Sequence, residues 1–303
     1  MKMRDWIAQK LLTQFTCPGH EKRKETAVIR TQLKAFEHSS ESERASYWES
    51  KFDSEELRQR FHDAGIITEA REIDIQDFET WMAENPALVN FYQGMGDVRI
   101  EKILEHYLSL RCLGIRETDV IIDIAAAGSP FAPVLRQKGM QAYRLDLAYP
   151  PGLRGYEIGS DAGNMPVPEG FAEVLTLHCA FECFQGGSDI SFALEAGRVL
   201  KKGGRLGIIP LYIDTVHFVK TSPWCDKGVI IVEPEAKWVW RDDKYRAPFS
   251  RHYSPEMFVA RFASRLLNMR KKIIVFTNSD KLPEHFKGQR FYCHFMFWAE
   301  KVQ

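Results

Sequence analysis

Apolar residues recur at two different periods along this chain, and the period changes near residue 116. Up to about residue 115 the spacing is helical. The stripes comprise Ile7, Leu11, Phe15, Ile29, Leu33, Phe36, Phe78, Trp81 and Met82. One further stripe runs through "GDVRIEKILEHYLSLRCLG", where Gly114 is a helix stop signal. The pattern therefore predicts an all-helical N-terminal cap over residues 1–115.

Short apolar runs alternate with helix-like stretches from residue 116 to residue 212. The runs are "DVIIDIA", "QAYRLDL", "AEVLTLHC" and "GRLGIIPL". Strands that alternate with helices are typical of a parallel sheet covered on both faces. The pattern predicts an α/β, Rossmann-like, doubly wound and mostly parallel sheet as the core of the protein.

Two further segments follow this core. Residues 213–260 carry many charges and the aromatic or cationic residues Trp224, Arg251, His252 and Tyr253, which favours an insertion that forms a lid over a ligand. Core packing explains the tryptophans of this segment equally well. Residues 261–303 contain "KKIIVFTN" and "FYCHFMFWAE", which predict C-terminal strands that complete the core sheet.

Composition narrows the class of protein. The 303 residues are 45% hydrophobic, and 41 Lys and Arg balance 41 Asp and Glu, so no net field favours nucleic acid as a partner. No apolar run approaches the roughly 20 residues that span a bilayer. The six cysteines are scattered without a CxxC pair, which favours a reducing, cytoplasmic location over a disulfide framework. We expect neither a membrane partner nor a metal; oligomeric state is not predicted.

The stretch "DIAAAGSPF", residues 123–131, marks the first strand-to-helix turn. In an open parallel sheet, ligands bind at such a turn, beside the point where the strand order reverses. A dinucleotide fingerprint would place glycines at Ala125, Ala127 and Pro130, so it is absent. This disfavours a nucleotide-dependent oxidoreductase. S-Adenosylmethionine carries no phosphate, so methyl groups on this turn are more easily tolerated.

Two further acidic residues, Asp146 and Asp161, are candidate ligand contacts later in the chain. Asp146 stands 23 residues after Asp123, at the end of the second strand, where a carboxylate can accept both ribose hydroxyls. Asp161 and Ala162 fall in a loop before the third strand, and a carboxylate there would face the amino group of adenine. A turn that holds no ligand is the alternative.

Four stretches in order, "IDIAAAGSP", "DLA", "DAGNMPVPEGFAEV" and "LKKGGRL", resemble the motifs of class I S-adenosylmethionine-dependent methyltransferases, particularly the small-molecule group. The last strand, "FYCHFMFWAE", is similar to the family's final antiparallel strand. Alanine or serine stands where the family's first motif has glycine, at Ala125, Ala127 and Ser129. An alanine in a left-handed conformation is strained, whereas Gly128 can adopt that conformation in this turn without strain.

The resemblance implies a site for S-adenosylmethionine at the strand tips. Asp123 and the loop Ala125–Ser129 would hold the methionine end, Asp146 the ribose, and Asp161 with Ala162 the adenine, while His178 would lie beside the sulfonium. The full set of expected cofactor contacts is Tyr92, Arg99, Asp123, Ala125, Ala126, Ala127, Gly128, Asp146, Leu147, Asp161, Ala162 and His178.

Methyl transfer is an in-line displacement, so a base is needed only when the acceptor must lose a proton. His178 and Glu182 follow the third core strand and are the candidate catalytic residues. His178 is alternatively a packing or cofactor contact, and Glu182 a helix cap or ion-pair partner. Lys102 and His106 are expected on a solvated helix face.

The sequence thus predicts a methyltransferase for a small-molecule or glycan-type acceptor. The alternative is a non-catalytic relative that keeps the fold as a binding or scaffold module. Cys179 and Cys183 with His178 do not make a closed zinc site, which needs four well-placed ligands.

Overall fold

A computed structural model describes residues 54–221, 233–240 and 249–303. The predicted stripes between residues 7 and 36, as well as Trp224, lie outside these ranges. The helices are α1 Ser54–Asp63, α2 Ile75–Glu84, α3 Pro86–Phe91, α4 Arg99–Leu113, α5 Phe131–Gln137, α6 Ser188–Val199, α7 Pro255–Arg261 and α8 Leu282–His285. The strands are β1 Ile67–Arg71, β2 Val120–Ile124, β3 Gln141–Arg154, β4 Glu157–Gly159, β5 Ala172–His178, β6 Leu200–Ile209, β7 Phe218–Thr221, β8 Lys237–Trp240, β9 Ser250–His252, β10 Met269–Phe276 and β11 Phe295–Lys301.

The core is an eight-stranded sheet in the order β1-β10-β11-β6-β5-β2-β3-β4. Strand β11 runs antiparallel to both of its neighbours, β10 and β6, while β6, β5, β2 and β3 are mutually parallel. The predicted doubly wound, mostly parallel sheet with a final antiparallel strand is therefore confirmed.

The N-terminal region is not all-helical, so that prediction is wrong at β1. This strand pairs in parallel with β10, from Ile67 opposite Lys272 to Arg71 opposite Phe276. It lies at the edge of the sheet, and Ile67 is 71% exposed. A five-residue edge strand without a buried stripe has too weak an apolar pattern to show period-2 alternation in the sequence.

Hydrophobic clusters cover both faces of the sheet because neighbouring strand residues point to opposite sides. Ile122 and Ile124 of β2 belong to one cluster and Ile121 belongs to the other. Helix α4 packs closely over the second face at Gly207, where a Cβ atom would lie 2.8 Å from a Leu113 methyl group. Gly114 then ends α4 in a left-handed conformation, as predicted.

The insertion forms a small sheet in the order β8-β7-β9. The guanidinium of Arg251 is 0% exposed, lies 3.1 Å from Asp189 of α6 and also pairs with Glu233. Tyr253 donates its hydroxyl to the same Asp189 at 2.8 Å. Arg251, His252 and Tyr253 are buried, and Arg251 and Tyr253 attach the insertion to the core through Asp189. That the insertion forms a lid over a ligand stays a prediction. Removing a guanidinium from water is offset here by two carboxylates.

Candidate active site at the strand tips

The strand order reverses between β2 and β5, and this point carries most of the predicted site. The two strands are parallel neighbours, with Ile124 opposite Leu177, so their carboxyl ends meet at one edge. Strand β3 lies on the far side of β2 and β6 on the far side of β5. Crevices at such a point are where open α/β sheets bind ligands.

Asp123 and His178 form one buried hydrogen-bonded array with two hydroxyl groups. His178 donates its Nδ1–H to Asp123 Oδ1 at 2.9 Å, and Thr176 donates its hydroxyl to the same oxygen at 3.2 Å. The other ring nitrogen, Nε2, lies 2.8 Å from Ser109 Oγ of α4. Asp123 Oδ2 is buried and has no hydrogen-bond partner among the described residues. The structure therefore joins two predicted site residues and leaves one carboxylate oxygen unsatisfied.

Aromatic rings surround His178 on the side of α4. Its ring centroid lies 4.7 Å from that of Phe131 and 4.4 Å from that of His106. His106 Nε2 in turn lies 2.7 Å from the hydroxyl of Tyr92. Burial raises the pKa of Tyr92 well above its usual value. Tyr92 thus lies near the predicted site, where it contacts His106.

Lys102 and His106 do not lie on a solvated face, so that expectation is wrong. His106 is 1% exposed, and the side chain of Lys102 is 13% exposed. Both faces of α4 are covered, because the polar residues Glu101, Glu105 and Ser109 are buried as well as the apolar residues.

The turn after β2 keeps a backbone that favours glycine, although alanine occupies it. Ala125 has φ 52° and Ala127 has φ 43°, both in the left-handed region. Gly128 is not among the positive-φ glycines. The predicted strain therefore exists, and it falls on the two alanines rather than on the permissive residue. Ser129 Oγ accepts the N–H of Phe131 at 3.3 Å, and Pro130 precedes α5 instead of opening it.

Asp146 lies directly beside this turn and binds backbone groups. Its Oδ2 accepts the N–H of Ala127 at 2.7 Å, and its Oδ1 accepts the N–H of Ala148 at 2.9 Å. Tyr149 donates its hydroxyl to the carbonyl of Ala127. Asp146 is 1% exposed, whereas Leu147 is 42% exposed. The carboxylate predicted for the ribose thus holds the turn in this conformation.

The remaining predicted contacts are more dispersed. Asp161 is exposed, and its Oδ1 accepts the N–H of Gly163 at 2.7 Å, while Ala162 is buried. Arg99 opens α4 and is half-buried. At 1.5 Å per residue it lies roughly 10 Å along the helix axis from His106. Its expected contact with a cofactor carboxylate stays a prediction.

Glu182, the second candidate catalytic residue, lies in the 3-10 turn that follows β5. It is 7% exposed, and the thiol of Cys179 donates to its Oε1 at 3.4 Å. Cys179 itself has φ 47°, a left-handed conformation that is rare for residues with a side chain. Residues held in such conformations cluster at functional sites.

Comparison with known proteins gives structural likenesses only. No family model and no curated protein matches the chain. A methyltransferase from Methanosarcina mazei is 13% identical, with a TM-score of 0.40 over 62% of this chain and 94% of that one. The 1,6-didemethyltoxoflavin N1-methyltransferase of Burkholderia thailandensis, crystallised with S-adenosylhomocysteine, is 12% identical, with a TM-score of 0.43 over 74% and 90%. A Mesorhizobium loti methyltransferase is 12% identical, with a TM-score of 0.43 over 65% and 98%.

These neighbours say nothing about the ligand of this chain. The strand order of the eight-stranded sheet and the antiparallel direction of β11 within it are properties of this chain, and they define its architecture. The chain has a class I methyltransferase fold.

Sequence reasoning did not bring together several polar residues that make contact near the end of β5. Cys179 Sγ lies 3.6 Å from the hydroxyl of Tyr212, and Lys102 Nζ lies 2.6 Å from Glu105 Oε1 and 5.2 Å from the centre of the Tyr292 ring. The sequence gives no signal for these contacts, because the polar face of α4 resembles a solvated face until the elements that cover it are known.

A further group of possible metal ligands lies in the insertion. Ligand atoms of His217, Glu233 and Glu235 lie within 4.8 Å of one another, in the part of the chain that the structure describes. Both carboxylates also pair with arginines, Glu233 with Arg251 and Glu235 with Arg261. The sequence did not indicate this group.

The structure describes four of the six cysteines, Cys112, Cys179, Cys183 and Cys293, and no disulfide bond joins any two of these four. Across residues 54–221, 233–240 and 249–303, every helix is too short or too polar to cross a membrane.

Proposed function

We propose that this chain is an S-adenosylmethionine-dependent methyltransferase that acts on a small-molecule or glycan-type acceptor. Two family motifs, at residues 122–130 and 146–148, lie beside the carboxyl ends of β2 and of the part of β3 that pairs with it, and the third begins in the loop after β4. One observation carries the proposal: Asp123 Oδ2 is buried and has no hydrogen-bond partner among the described residues. An unsatisfied carboxylate oxygen in such a place is costly unless a ligand donates to it.

The α-ammonium group of S-adenosylmethionine suits this oxygen. It carries a positive charge and three N–H donors, and charge-assisted hydrogen bonds are stronger than neutral ones. Ala125 and Ala127 retain the left-handed turn that bends the chain away from the strand tip. The residues present therefore fit the methionine end of the cofactor.

The bound cofactor would supply a methyl group on a positively charged sulfur, and this chain's residues would position it. Asp123 would hold the ammonium group and Asp146 the ribose. The ribose hydroxyls would donate to the lone pairs of the Asp146 carboxylate that the N–H groups of Ala127 and Ala148 do not use. Asp161 and Ala162 would face the adenine, and Leu147 would pack beside it. These roles are part of the proposal.

A base is needed where the acceptor must lose a proton. His178 donates Nδ1–H to Asp123, so Nε2 is its basic nitrogen, and that atom faces Ser109. An acceptor would therefore have to replace Ser109 at Nε2 before His178 could take its proton. Glu182 is the second candidate base, and its carboxylate lies next to Cys179.

Calorimetric titration with S-adenosylmethionine, S-adenosylhomocysteine and NAD tests the proposal. We expect binding of the first two compounds and none of NAD. Binding of NAD alone would support a nucleotide-dependent oxidoreductase and overturn the assignment.

The second candidate function is a non-catalytic binding or scaffold module. Hydrogen bonds within the chain favour this alternative. Tyr149 donates to the Ala127 carbonyl, and Asp146 accepts the N–H groups of Ala127 and Ala148, so these polar groups already have partners without a ligand. Absence of binding in both the unmodified protein and a Tyr149→Ala variant would support this alternative. The scattered cysteines favour a cytoplasmic location, which we retain as part of the proposal.

A further inference from the structure

One imidazole and two carboxylates meet in the insertion, and the proposed function does not use them. His217 directly precedes β7, and Glu233 and Glu235 lie shortly before β8. Strands β7 and β8 are parallel, with Phe218 opposite Lys237, so their amino-terminal ends meet at one edge. The Lys237 N–H also donates to the His217 carbonyl at 3.1 Å. The strand pairing therefore brings the three side chains together.

The imidazole of His217 presents a lone pair to this group. Its Nδ1 lies 3.1 Å from the carbonyl oxygen of His252, which can only accept, so Nδ1 carries the hydrogen. The neutral ring therefore has its lone pair on Nε2. That atom is buried and has no hydrogen-bond partner among the described residues, and the side chain is only 5% exposed. A backbone carbonyl on the other ring nitrogen is the usual arrangement of a metal-binding histidine.

The distance between His217 and Glu233 fits two ligands of one metal ion better than a hydrogen bond. Nε2 lies 3.7 Å from Glu233 Oε2, beyond the range of about 2.7–3.2 Å for N–H···O bonds. Two atoms bound tetrahedrally to zinc, at about 2.0–2.2 Å each, lie about 3.3–3.5 Å apart. Ligand atoms of all three side chains lie within 4.8 Å of one another. Glu235 is exposed, so its carboxylate is free to move the remaining distance of about 1 Å.

The charges around this group leave one negative charge in excess. The carboxylates of Asp189, Glu233 and Glu235 pair with the guanidinium groups of Arg251 and Arg261. Burial raises the pKa of Glu233, but its basic neighbours outweigh burial and keep the pKa below its usual value, so the carboxylate is ionised. The excess charge favours a cation between the carboxylates and the imidazole.

The arginine contacts leave the carboxylates able to bind a metal. Each carboxylate oxygen has two lone pairs, so an oxygen that accepts an arginine N–H keeps one for a second partner. Arg251 bonds Glu233 Oε2 through Nε at 2.9 Å, and Arg261 bonds Glu235 Oε1 at 2.8 Å. Hydrogen bonds of this kind orient carboxylates that bind metals.

We propose that His217, Glu233 and Glu235 bind one divalent transition-metal ion, such as Zn²⁺. Imidazole nitrogen and carboxylate oxygen are both ligands of zinc. The ion gives the buried Nε2 a partner and fastens the start of β7 to the segment before β8. Three protein ligands leave the fourth position to water. This inference goes beyond the proposed function, does not depend on it, and departs from the sequence-based expectation that the protein binds no metal.

Calorimetric titration of zinc chloride into the chelator-treated full chain tests the proposal. We expect one equivalent of Zn²⁺ to bind. Absence of binding would overturn the proposal, because a proton on Nε2 would then be what joins the imidazole to Glu233.

Two variants remove ligands without removing the buried carboxylate that pairs with Arg251. Glu235→Gln and His217→Gln should each weaken Zn²⁺ binding at least about tenfold, since even the partners of metal ligands contribute that much. Glu235 is exposed, so its variant is expected to fold, and its result decides the question if His217→Gln does not fold.

Each variant has a matched control. Glu256→Gln removes an exposed carboxylate that also pairs with an arginine, Arg60, at 2.7 Å. His285→Gln removes an exposed imidazole that pairs with Glu79 at 2.8 Å. Both controls should bind Zn²⁺ as the unmodified protein does. Equal affinity in the controls and in the ligand variants would show an adventitious ion only and overturn the proposal.

Two further measurements place the ion. The absorption spectrum of the Co²⁺-loaded protein should lack a sulfur-to-metal charge-transfer band; such a band would place the ion on cysteines and contradict the proposal. Zn²⁺ should also stabilise the unmodified protein and Glu256→Gln against urea more than Glu235→Gln, because a ligand that binds only the folded state stabilises it. Equal stabilisation of all three would contradict the proposal as well.

Discussion

The cofactor side of the candidate active site and the polar contacts near the end of β5 are built differently. On the cofactor side, Asp123, Ala127 and Asp146 lie in two short motifs, and Asp146 accepts the backbone N–H groups of Ala127 and Ala148. Near the end of β5, side chains from distant segments meet, as the pair between Lys102 and Glu105 and the contact between Cys179 and Tyr212 show. The first region depends on local geometry and the second on tertiary packing and buried charge. Substitutions should therefore act differently in the two regions.

The largest effect is expected at Asp146. Asp146→Ala removes the acceptor of two backbone N–H groups, so we expect a loss of about 2–3 kcal/mol in the free energy of unfolding. The affinity for S-adenosylhomocysteine should fall as well. Urea denaturation and calorimetry measure both.

Asp161→Ala is the matched control for this change. Asp161 is exposed and holds a single N–H, that of Gly163, so we expect a loss of only about 0.5 kcal/mol. Equal losses in the two variants would show that the buried carboxylate has no special part in holding the turn.

A pH-dependent effect is expected at Glu101 of α4. Burial, with the neighbouring Glu105, raises the pKa of Glu101 well above its usual value, so its proton binds more tightly in the folded chain. The stability that it contributes is present below the pKa of the unfolded chain and is lost as the pH rises through the folded-state pKa. Glu101→Gln cannot ionise, so between pH 5 and pH 8 it should lose less stability than the unmodified protein.

Urea unfolding at the two pH values checks this expectation, with Glu84→Gln as the control that should follow the unmodified protein. If Glu101→Gln and the unmodified protein lose the same stability, Glu101 is not a protonated buried acid.

A smaller effect is expected at Tyr149. Tyr149→Phe removes the hydrogen bond that closes the turn at Ala127, and a typical hydrogen bond contributes about 0.5–1.5 kcal/mol. Affinity for S-adenosylhomocysteine should therefore rise about twofold to tenfold. Tyr156→Phe, in the exposed part of the same hairpin, should leave it unchanged. A lower affinity in Tyr149→Phe would mean that the hydroxyl contacts the ligand instead.

The smallest effect concerns the left-handed alanines. Ala125→Gly and Ala127→Gly should each raise the free energy of unfolding by up to about 1 kcal/mol, because glycine adopts this conformation without strain. Ala126→Gly, between them and without positive φ, should lower it by about 0.5–1 kcal/mol. Thermal denaturation of the three variants and the unmodified protein measures these differences in stability. Destabilisation by all three changes would show that the turn is not strained.

The cofactor side could be predicted from the sequence because each motif is local. Asp123 and His178 lie at the carboxyl ends of β2 and β5, and Asp146 follows the part of β3 that pairs with β2, so the parallel strands bring all three to one edge. What the motifs could not reveal is how Asp146 is used. It accepts the N–H groups of Ala127 and Ala148, and Tyr149 bonds the Ala127 carbonyl beside it, where β3 bends back.

The polar contacts near the end of β5 could not be predicted because their members are far apart in sequence. Lys102 and Tyr292 meet only when β11 inserts between β10 and β6. The prediction that Lys102 and His106 lie on a solvated face of α4 was wrong for the same reason. The periodicity of a helix identifies its apolar face but not which elements cover its polar residues. Strand β1 was missed because Ile67 is exposed at a sheet edge.

The central claim is that the unsatisfied oxygen of Asp123 receives the cofactor's ammonium group. A double-mutant cycle tests it most directly, with S-adenosylhomocysteine and its analogue lacking the α-amino group titrated into the unmodified protein and Asp123→Asn. We expect the unmodified protein to prefer the amino compound by about tenfold to a hundredfold, and the variant to lose most of that preference. Equal discrimination by both proteins would place the ammonium group elsewhere and contradict the account.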